Sequence, residues 1–424
     1  METLPLRRNV SPSTRPAEKP NFAGFDALRA FSALAVVLLH ACVPYLQHPM
    51  PGLAWTVRDR TSGLLDCLFW GIESFIMPIF LVLAGFLAWQ TLSKKGPSIL
   101  VSSRARRLLV PLAFAVCVVL PIGLYTWVLA WVAEGVVAPV KLKSLKFDGV
   151  IDQDLWGLSH LWFMLYLFLY VMVAAIVFRG ISQSRKATVL RRSLAQPHLV
   201  SIGLFLVAFV VLAFRPEVVW GFQHAFAPVP SKWIYSGTFF AGGMLLASKD
   251  PRLVWIQSKT PVLGIASVAL LVTAVTMGRW HLQFSGDALA KGFLAAITVL
   301  CAWSTTLFLI AASGSFQKLS LPIQYLAAAS FWIYLVHHPI LGLTHLDLKL
   351  TLADTPPTIK TAMAFATSVT VSVLSYEVMV RRTRLGRLLG MTWEVPLSRP
   401  SVPELQSPLL QSDERESQPW SRAA

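Results

Sequence analysis

Residues 25–45 read FDALRAFSALAVVLLHACVPY, an apolar stretch long enough to cross about 30 Å of hydrocarbon as one helix. The stretch contains three acidic or basic side chains, Asp26, Arg29 and His40. Transfer of a charged group into a bilayer is energetically unfavourable, so ionisable residues that occur there indicate function. The helical period places Arg29 and His40 within about 20° of one face and about 16 Å apart along the axis. This helix is therefore predicted to carry a cation near one membrane surface and an imidazole toward the other.

Similar apolar runs recur along the 424 residues. We predict ten transmembrane helices, near residues 25–46, 68–92, 108–133, 159–178, 199–214, 233–248, 260–278, 291–312, 321–345 and 360–380. The amino-acid composition agrees with a membrane protein, because only 14% of the residues are charged, against roughly 25% in soluble domains. The fold is therefore predicted to be all-α, a polytopic helical bundle in a lipid bilayer.

The formal net charge of +16 would suggest a nucleic-acid partner in a soluble protein. Here most Lys and Arg residues lie in alternate loops, which is typical of the cytoplasmic side of a membrane protein. We therefore expect no nucleic acid and predict a multi-pass protein of the cell inner membrane with both termini in the cytoplasm. Residues 1–20 and 392–424 are polar and predicted to be disordered cytoplasmic tails, and residues 21–391 form the transmembrane domain.

Three other predicted helices contribute ionisable residues at a depth similar to that of His40, namely Glu73, His160 and His337. An imidazole at such a depth suits a general base or an acyl acceptor, although it also suits a histidine that hydrogen-bonds a neighbouring helix. Glu73 is expected to orient a histidine or to act as a base, and a carboxylate at the membrane interface is the alternative. Depth alone does not establish that the four side chains meet.

The ninth run contains SFWIYLVHHPI at residues 330–340. Ser330, Tyr334 and His337 follow the spacing of one helical face. His338 and Pro339 are expected to close this helix, because proline disrupts a helix interior.

The loop after the second run contains RARRLLVP at residues 104–111. Arg104 and Arg107 are candidates for a phosphate clamp, because guanidinium groups bind phosphate through two hydrogen bonds. A simple anchor on the cytoplasmic side is the alternative. We expect no metal, because the histidines are too dispersed along the sequence for a recognisable ligand motif.

Five motifs occur together in a fixed order over residues 22–345. They are FDALRAFSALAVVLLH, FIMPIFLVLAGFL, RARRLLVP, SHLWFMLYL and SFWIYLVHHPI. In this combination the chain resembles the membrane-bound acyltransferase family 3, whose members O-acylate lipopolysaccharide, exopolysaccharides and periplasmic glucans.

The resemblance implies a ten-helix bundle that takes an acyl group from cytoplasmic acyl-CoA and delivers it to a sugar hydroxyl of an extracytoplasmic glycan. His40 matches the family's essential histidine and Arg29 its paired arginine. Arg104 and Arg107 match an R-x-x-R pair near the acyl-CoA entrance. The implied donor is acetyl-CoA or succinyl-CoA as a substrate, with no bound cofactor.

Two departures from the family pattern bear on the subgroup. The usual SGF is AGF at residues 84–86, where Gly85 is predicted to be a small packing residue. The ending SYEVMVRRTRLGRLLG resembles the glucan-biosynthesis subgroup related to the periplasmic glucan succinyltransferase. The site is thus assigned to three groups: His40, Glu73 and His337 as catalytic residues; Arg29, Arg104 and Arg107 as acyl-CoA-binding residues; and Asp26, His160, Ser330 and Tyr334 as substrate or structural support.

Two other functions compete with acyl transfer. A transporter of a glycan or a carboxylate would also be polytopic, but secondary transporters often contain internal repeats, and none is evident between residues 21–212 and 213–400. A non-catalytic membrane scaffold leaves the placement of Arg29, His40 and Arg107 unexplained. The two functions are therefore ranked in this order behind the acyltransferase.

Overall fold

A computed structural model describes residues 23–147, 149, 151, 155–183, 196–223, 225–316 and 318–393, and this part of the chain contains helices and no strand. The long helices are α1 (Ala23–Cys42), α2 (Gly63–Lys95), α3 (Pro97–Phe114), α4 (Leu120–Ala133), α5 (Trp162–Gln183), α6 (Pro197–Phe214), α7 (Pro230–Lys249), α8 (Thr260–Phe284), α9 (Ala288–Ser313), α10 (Leu321–Thr351) and α11 (Pro357–Met379). Short helices are Val43–Tyr45, Lys141–Ser144, Ser159–Leu161, Glu217–Trp220, Val254–Gln257 and Arg384–Leu389, and the π-turn Ala115–Val119 joins α3 to α4.

The polytopic all-α fold predicted from the sequence is confirmed. Within the described ranges, nine helical segments are long and apolar enough to cross a membrane, and α3 and α4 together make one of them. These helices belong to one structural unit that ends at Thr392, and a second unit begins at Trp393. The tails predicted at 1–20 and beyond Trp393 lie outside the described residues.

The sixth predicted span, near 233–248, is the one that differs from expectation. It forms the helix α7, but α7 is not among the nine segments apolar enough to cross a membrane. Its sequence mixes small and polar residues with a lysine at each end, and it packs against α2, α5 and α6. Because neighbouring helices cover much of its surface, α7 needs fewer apolar side chains than a lipid-facing helix.

The contact between α2 and α7 depends on two glycines. A Cβ atom on Gly85 would lie 2.0 Å from the Phe240 carbonyl oxygen, and one on Gly243 would lie 2.1 Å from the Val82 carbonyl oxygen. Only residues without a Cβ let the two backbones approach so closely, which is a common mode of helix packing in membranes. The prediction that Gly85 is a packing residue is confirmed.

Helix α1 lies at the centre of the bundle and contacts α2, α9, α10 and α11. The end of the bundle that holds the N-terminus of α1 is called the inner end below, and the opposite end the outer end. His40 is near the outer end of α1 and Arg29 near the inner end. The central position of α1 therefore brings its polar face into contact with the helices that hold the other candidate residues.

Helix α10 does not end at His338 and Pro339, so that expectation is wrong. It continues through Pro339 to Thr351. A proline inside a helix has no N–H to donate to the carbonyl four residues earlier, which here belongs to Leu335. His160 lies against this carbonyl, with its Nε2 atom 3.1 Å from Leu335 O. A side chain from outside the helix thus replaces the missing backbone donor, and the helix can continue.

Candidate active site

Four histidines meet in the outer half of the bundle, and they are called the histidine cluster below. His40 comes from α1, His160 from the short helix before α5, and His337 and His338 from α10. The ring centroid of His40 is 5.1 Å from that of His337 and 4.5 Å from that of His338. The His160 ring stacks on His338 at 4.1 Å. The structure therefore brings together side chains that are separated by up to about 300 positions in the sequence.

Hydrogen bonds of His337 and His40 determine which ring nitrogens carry protons. His337 Nδ1 lies 2.8 Å from the Tyr334 carbonyl oxygen, so it donates a proton there, and Nε2 is left with a lone pair. His40 Nδ1 lies 2.9 Å from the Val36 carbonyl oxygen and 3.3 Å from His337 Nε2. Two acceptors thus face His40 Nδ1, which must carry the proton. This tautomer, inferred from the hydrogen bonds, leaves the lone pair on His40 Nε2.

His160 is oriented by the carbonyl that Pro339 leaves free. Its Nε2 donates to Leu335 O, and Tyr334 donates its hydroxyl proton to the His160 carbonyl oxygen. The remaining nitrogen, Nδ1, is buried and has no hydrogen-bond partner in the part of the chain that the structure describes. It is therefore an unsatisfied acceptor at the wall of the site.

A loop at residues 46–62 covers the histidine cluster on its outer side. The ring of Trp55 stacks on the ring of His40, with centroids 5.9 Å apart. Trp55 Nε1 donates to His345 Nδ1 at 3.1 Å, and Trp131 Nε1 donates to the Trp55 carbonyl oxygen at 2.9 Å. The indole is thus held between α1, α4 and α10, where it limits access of water to His40.

A small cavity of about 50 Å³ beside His40 contains one acid and one base, Glu73 of α2 and Lys232 of α7. Lys232 Nζ donates to the Gln223 carbonyl oxygen at 2.9 Å and lies 3.9 Å from the centroid of Trp162. Glu73 was predicted to orient the imidazole, but the side chain that hydrogen-bonds His40 is His337. Glu73 instead faces the same cavity and interacts electrostatically with Lys232.

A larger cavity of about 380 Å³ lies on the other side of the histidine cluster. It is bounded by the π-turn, α4, residues 155–160 and the His338–Pro339 step of α10. Four aromatic residues line it, and it is called the aromatic cavity below; they are Tyr125, Trp127, Trp156 and Phe226. His160 lines both cavities, so the cluster forms the partition between them.

The residues predicted to bind acyl-CoA lie toward the inner end. Arg29 Nη1 is 2.8 Å from Asp26 Oδ1, and Arg29 Nη2 donates to the Ala327 carbonyl oxygen at 3.0 Å. Ser330 donates to the same carbonyl at 2.7 Å, so Ser330 supports the position of α10 next to Arg29.

Arg104 lies on α3 within electrostatic range of both Arg29 and Arg107. Three guanidinium groups from two helices thus share one neighbourhood. Because like charges repel, such a grouping is favourable only with an anion or solvent between them.

Three members of the histidine cluster have ring nitrogens within 4.8 Å of one another, namely His40, His337 and His338. Helix packing thus gathers histidines that are too dispersed along the sequence to form a recognisable ligand motif, so the missing motif does not decide whether a metal binds here. Three imidazoles at this separation could hold a divalent transition metal if the His40–His337 hydrogen bond were given up.

The sequence did not identify four residues of the site. His338 and His345 are one face of α10 at i, i+7 spacing, and this pattern could have been recognised beside His337. Lys232 is at the start of an apolar run, and a charged residue in such a run is a candidate functional residue. Trp55 lies in a loop, and no pattern in the sequence indicates that it covers His40.

Comparison with known proteins places the chain among acyltransferases. A family profile described as an acyltransferase domain matches residues 22–377. The chain is similar to the glucans biosynthesis protein C of Escherichia coli (strain K12), with 24% identity over 342 residues that cover 77% of this chain and 83% of the relative. It is equally similar to the glucans biosynthesis protein C of Salmonella paratyphi A (strain ATCC 9150 / SARB42), with 24% identity over 339 residues that cover 77% and 84%. No solved structure gives a significant match.

Proposed function

Because the chain belongs to the acyltransferase 3 family and is a multi-pass membrane acyltransferase, we propose that it transfers an acyl group from acyl-CoA to a sugar hydroxyl of an extracytoplasmic glycan, with His40 as the general base. One observation carries the proposal. His40 Nδ1 faces two acceptors, and Nε2 is left with its lone pair in a side chain that lines a cavity. A sugar hydroxyl is a poor nucleophile at neutral pH, so a positioned base is what the reaction requires.

The proposed step moves one proton and exchanges one bond. His40 Nε2 takes the proton of the sugar hydroxyl while its oxygen attacks the thioester carbonyl carbon. The C–S bond then breaks, and the CoA thiolate leaves with the proton from the His40 imidazolium. During the step His337 Nε2 accepts a hydrogen bond from His40 Nδ1–H and stabilises the positive charge on His40. A route through an acylated His40 uses the same lone pair and differs in forming a covalent intermediate.

The donor is proposed to enter from the inner end, where Arg29, Arg104 and Arg107 would hold the phosphates of CoA. The positive-inside rule supports a cytoplasmic inner end, both termini in the cytoplasm and a place in the cell inner membrane. The acyl group is proposed to be acetyl or succinyl. The name of the relatives, glucans biosynthesis protein C, supports a glucan as the acceptor.

The test is an assay of the purified protein in lipid nanodiscs with acetyl-CoA or succinyl-CoA and a glucan oligosaccharide. We expect release of the CoA thiol that depends on the oligosaccharide, and a matching mass increment on the glucan. Arg104→Gln should raise the KM for acyl-CoA about 10-fold or more, because a charge-assisted contact is lost. Arg106→Gln is the matched control, since Arg106 is the exposed neighbour outside the R-x-x-R pair.

Two results would contradict the proposal. One is the absence of thiol release with either donor, from protein that a thermal-unfolding measurement shows to be folded. The other is movement of glucan or succinate across proteoliposomes without acyl-CoA, which would favour the transporter.

A further inference from the structure

Two buried polar atoms beside the aromatic cavity have no hydrogen-bond partner among the residues that the structure describes. Trp127 is 7% exposed and His160 is 6% exposed, and both side chains line the cavity. Trp127 Nε1 and His160 Nδ1 make no hydrogen bond to any residue that the structure describes. Buried polar atoms are normally satisfied, so two orphans in one cavity indicate a ligand with hydrogen-bonding groups.

The two orphan atoms differ in what they require. An indole N–H can only donate. His160 Nε2 already donates to Leu335 O, so Nδ1 can only accept. A hydroxyl group both accepts and donates, and a ligand with neighbouring hydroxyls would satisfy both atoms. An alkyl chain would leave both atoms buried and unsatisfied, which is unfavourable.

The described wall of the cavity offers no counter-charge to a charged occupant. No Asp, Glu, Lys or Arg is among the described residues that line it. An anion such as the phosphates of CoA or a free carboxylate would therefore lose its hydration without a counter-charge. The volume of about 380 Å³ is in the range of about 300–1,000 Å³ found for small-molecule sites.

The aromatic residues supply the other feature of a sugar site. Tyr125, Trp156 and Phe226 line the cavity and are 49%, 43% and 58% exposed, so aromatic rings form the solvent- or lipid-accessible part of its lining. The C–H face of a hexose is apolar and flat, and its edge carries the hydroxyls. An aromatic ring with a polar group at its edge complements both parts.

We propose that the aromatic cavity binds a neutral hexose unit of the acceptor glycan, with Trp127 Nε1 donating to a hydroxyl oxygen and His160 Nδ1 accepting from a hydroxyl proton. This assignment rests on the proposed function, and it makes Trp127 a specificity-determining residue. It also places the hexose next to the histidine cluster, because His160 and His338 line this cavity and the His338 ring lies 4.5 Å from the ring of His40.

The experiment measures binding without turnover. Linear β-glucose tetrasaccharides of different linkage are titrated against the full-length protein in nanodiscs, with no acyl-CoA present, and followed by saturation-transfer NMR. Wild type should bind at least one of them, and Trp127→Phe should weaken that binding about 5- to 10-fold, because one neutral hydrogen bond is lost and the ring is kept. Trp233→Phe is the matched control, since Trp233 also has an unpartnered buried Nε1 but does not line the cavity.

The binding experiment tests the hexose site independently of the proposed acyl transfer. Binding by wild type that Trp127→Phe weakens supports the acceptor site even if no acyl transfer is found. Absence of binding by wild type, or equal binding by wild type and Trp127→Phe, would overturn it. A tightly bound lipid that mass spectrometry detects in wild type but not in Trp127→Phe would overturn it as well. Thermal unfolding of each variant confirms that the comparison is made between folded proteins.

Discussion

Two buried polar clusters of this molecule differ in how their hydrogen bonds are used. At the outer end, Asp66 of α2 is fully buried, and both of its oxygens are engaged. It accepts hydrogen bonds of 2.9 Å from the backbone N–H and the ring Nδ1 of His48, and Arg279 Nε lies 2.8 Å from Oδ2. Arg279 also donates to Gln47 and Cys67. This group is called the Asp66 network.

The histidine cluster has a different character. Within the described residues, the hydrogen bonds of His40, His160 and His337 go to one another or to backbone carbonyls, and none goes to the carboxylate of an Asp or Glu. It also borders two cavities, and the Asp66 network borders neither. A cluster that satisfies all its polar atoms internally stabilises a fold, whereas a cluster that leaves atoms open toward a cavity is arranged for a ligand. Burial alone does not distinguish the two.

Among variants that keep His40, the largest expected effect comes from the residue that orients this base. His337→Ala removes the side-chain acceptor for His40 Nδ1–H and leaves only the Val36 carbonyl oxygen, so kcat should fall about 10²-fold while the KM of each substrate changes little. His337→Gln keeps an acceptor oxygen and should recover part of the loss. Steady-state kinetics in nanodiscs, with thermal unfolding as the control for folding, measures both effects.

A merely structural role for His337 predicts a different result. KM and kcat would then change together, the unfolding temperature would drop, and Gln would not restore kcat. If a chelator abolishes wild-type activity and Zn²⁺ restores it, then the three histidine nitrogens hold a metal and the proton-transfer assignment is wrong.

A smaller effect on turnover is expected in the Asp66 network. Asp66→Asn leaves the partly buried Arg279 without its counter-ion, so the unfolding free energy should fall by about 2 kcal/mol. Turnover per folded molecule should remain close to that of wild type. Unfolding in mixed micelles, with activity measured on the same samples, tests this contrast. A large loss of kcat at unchanged stability would show that the network takes part in the reaction.

Much of the fold could be predicted because lipid imposes strong rules on sequence. A segment that crosses the bilayer must be apolar over its length, and the apolar runs identify the long helices, including α1 and α2. The exception is α7, whose surface is covered by protein. For such a helix the apolar pattern is no longer required, so composition alone does not settle whether it crosses.

The candidate site could be predicted only in part. The helical period places Arg29 and His40 on one face of α1 because this relation is local. The bond between His40 and His337 is not local and depends on how α1 packs against α10. Pro339 is an intermediate case: its sequence position implies a free carbonyl at Leu335, but only the structure identifies His160 as the donor.

The most direct test of the account is mass spectrometry of the envelope and periplasmic glycans of a strain that lacks this chain. The strain is complemented with wild type or with His40→Ala, and the amount of each protein in the membrane is matched. We predict that glycans gain an acetyl or succinyl group with wild type only. Identical glycans from the two complemented strains would contradict the assignment of His40 as the base for acyl transfer.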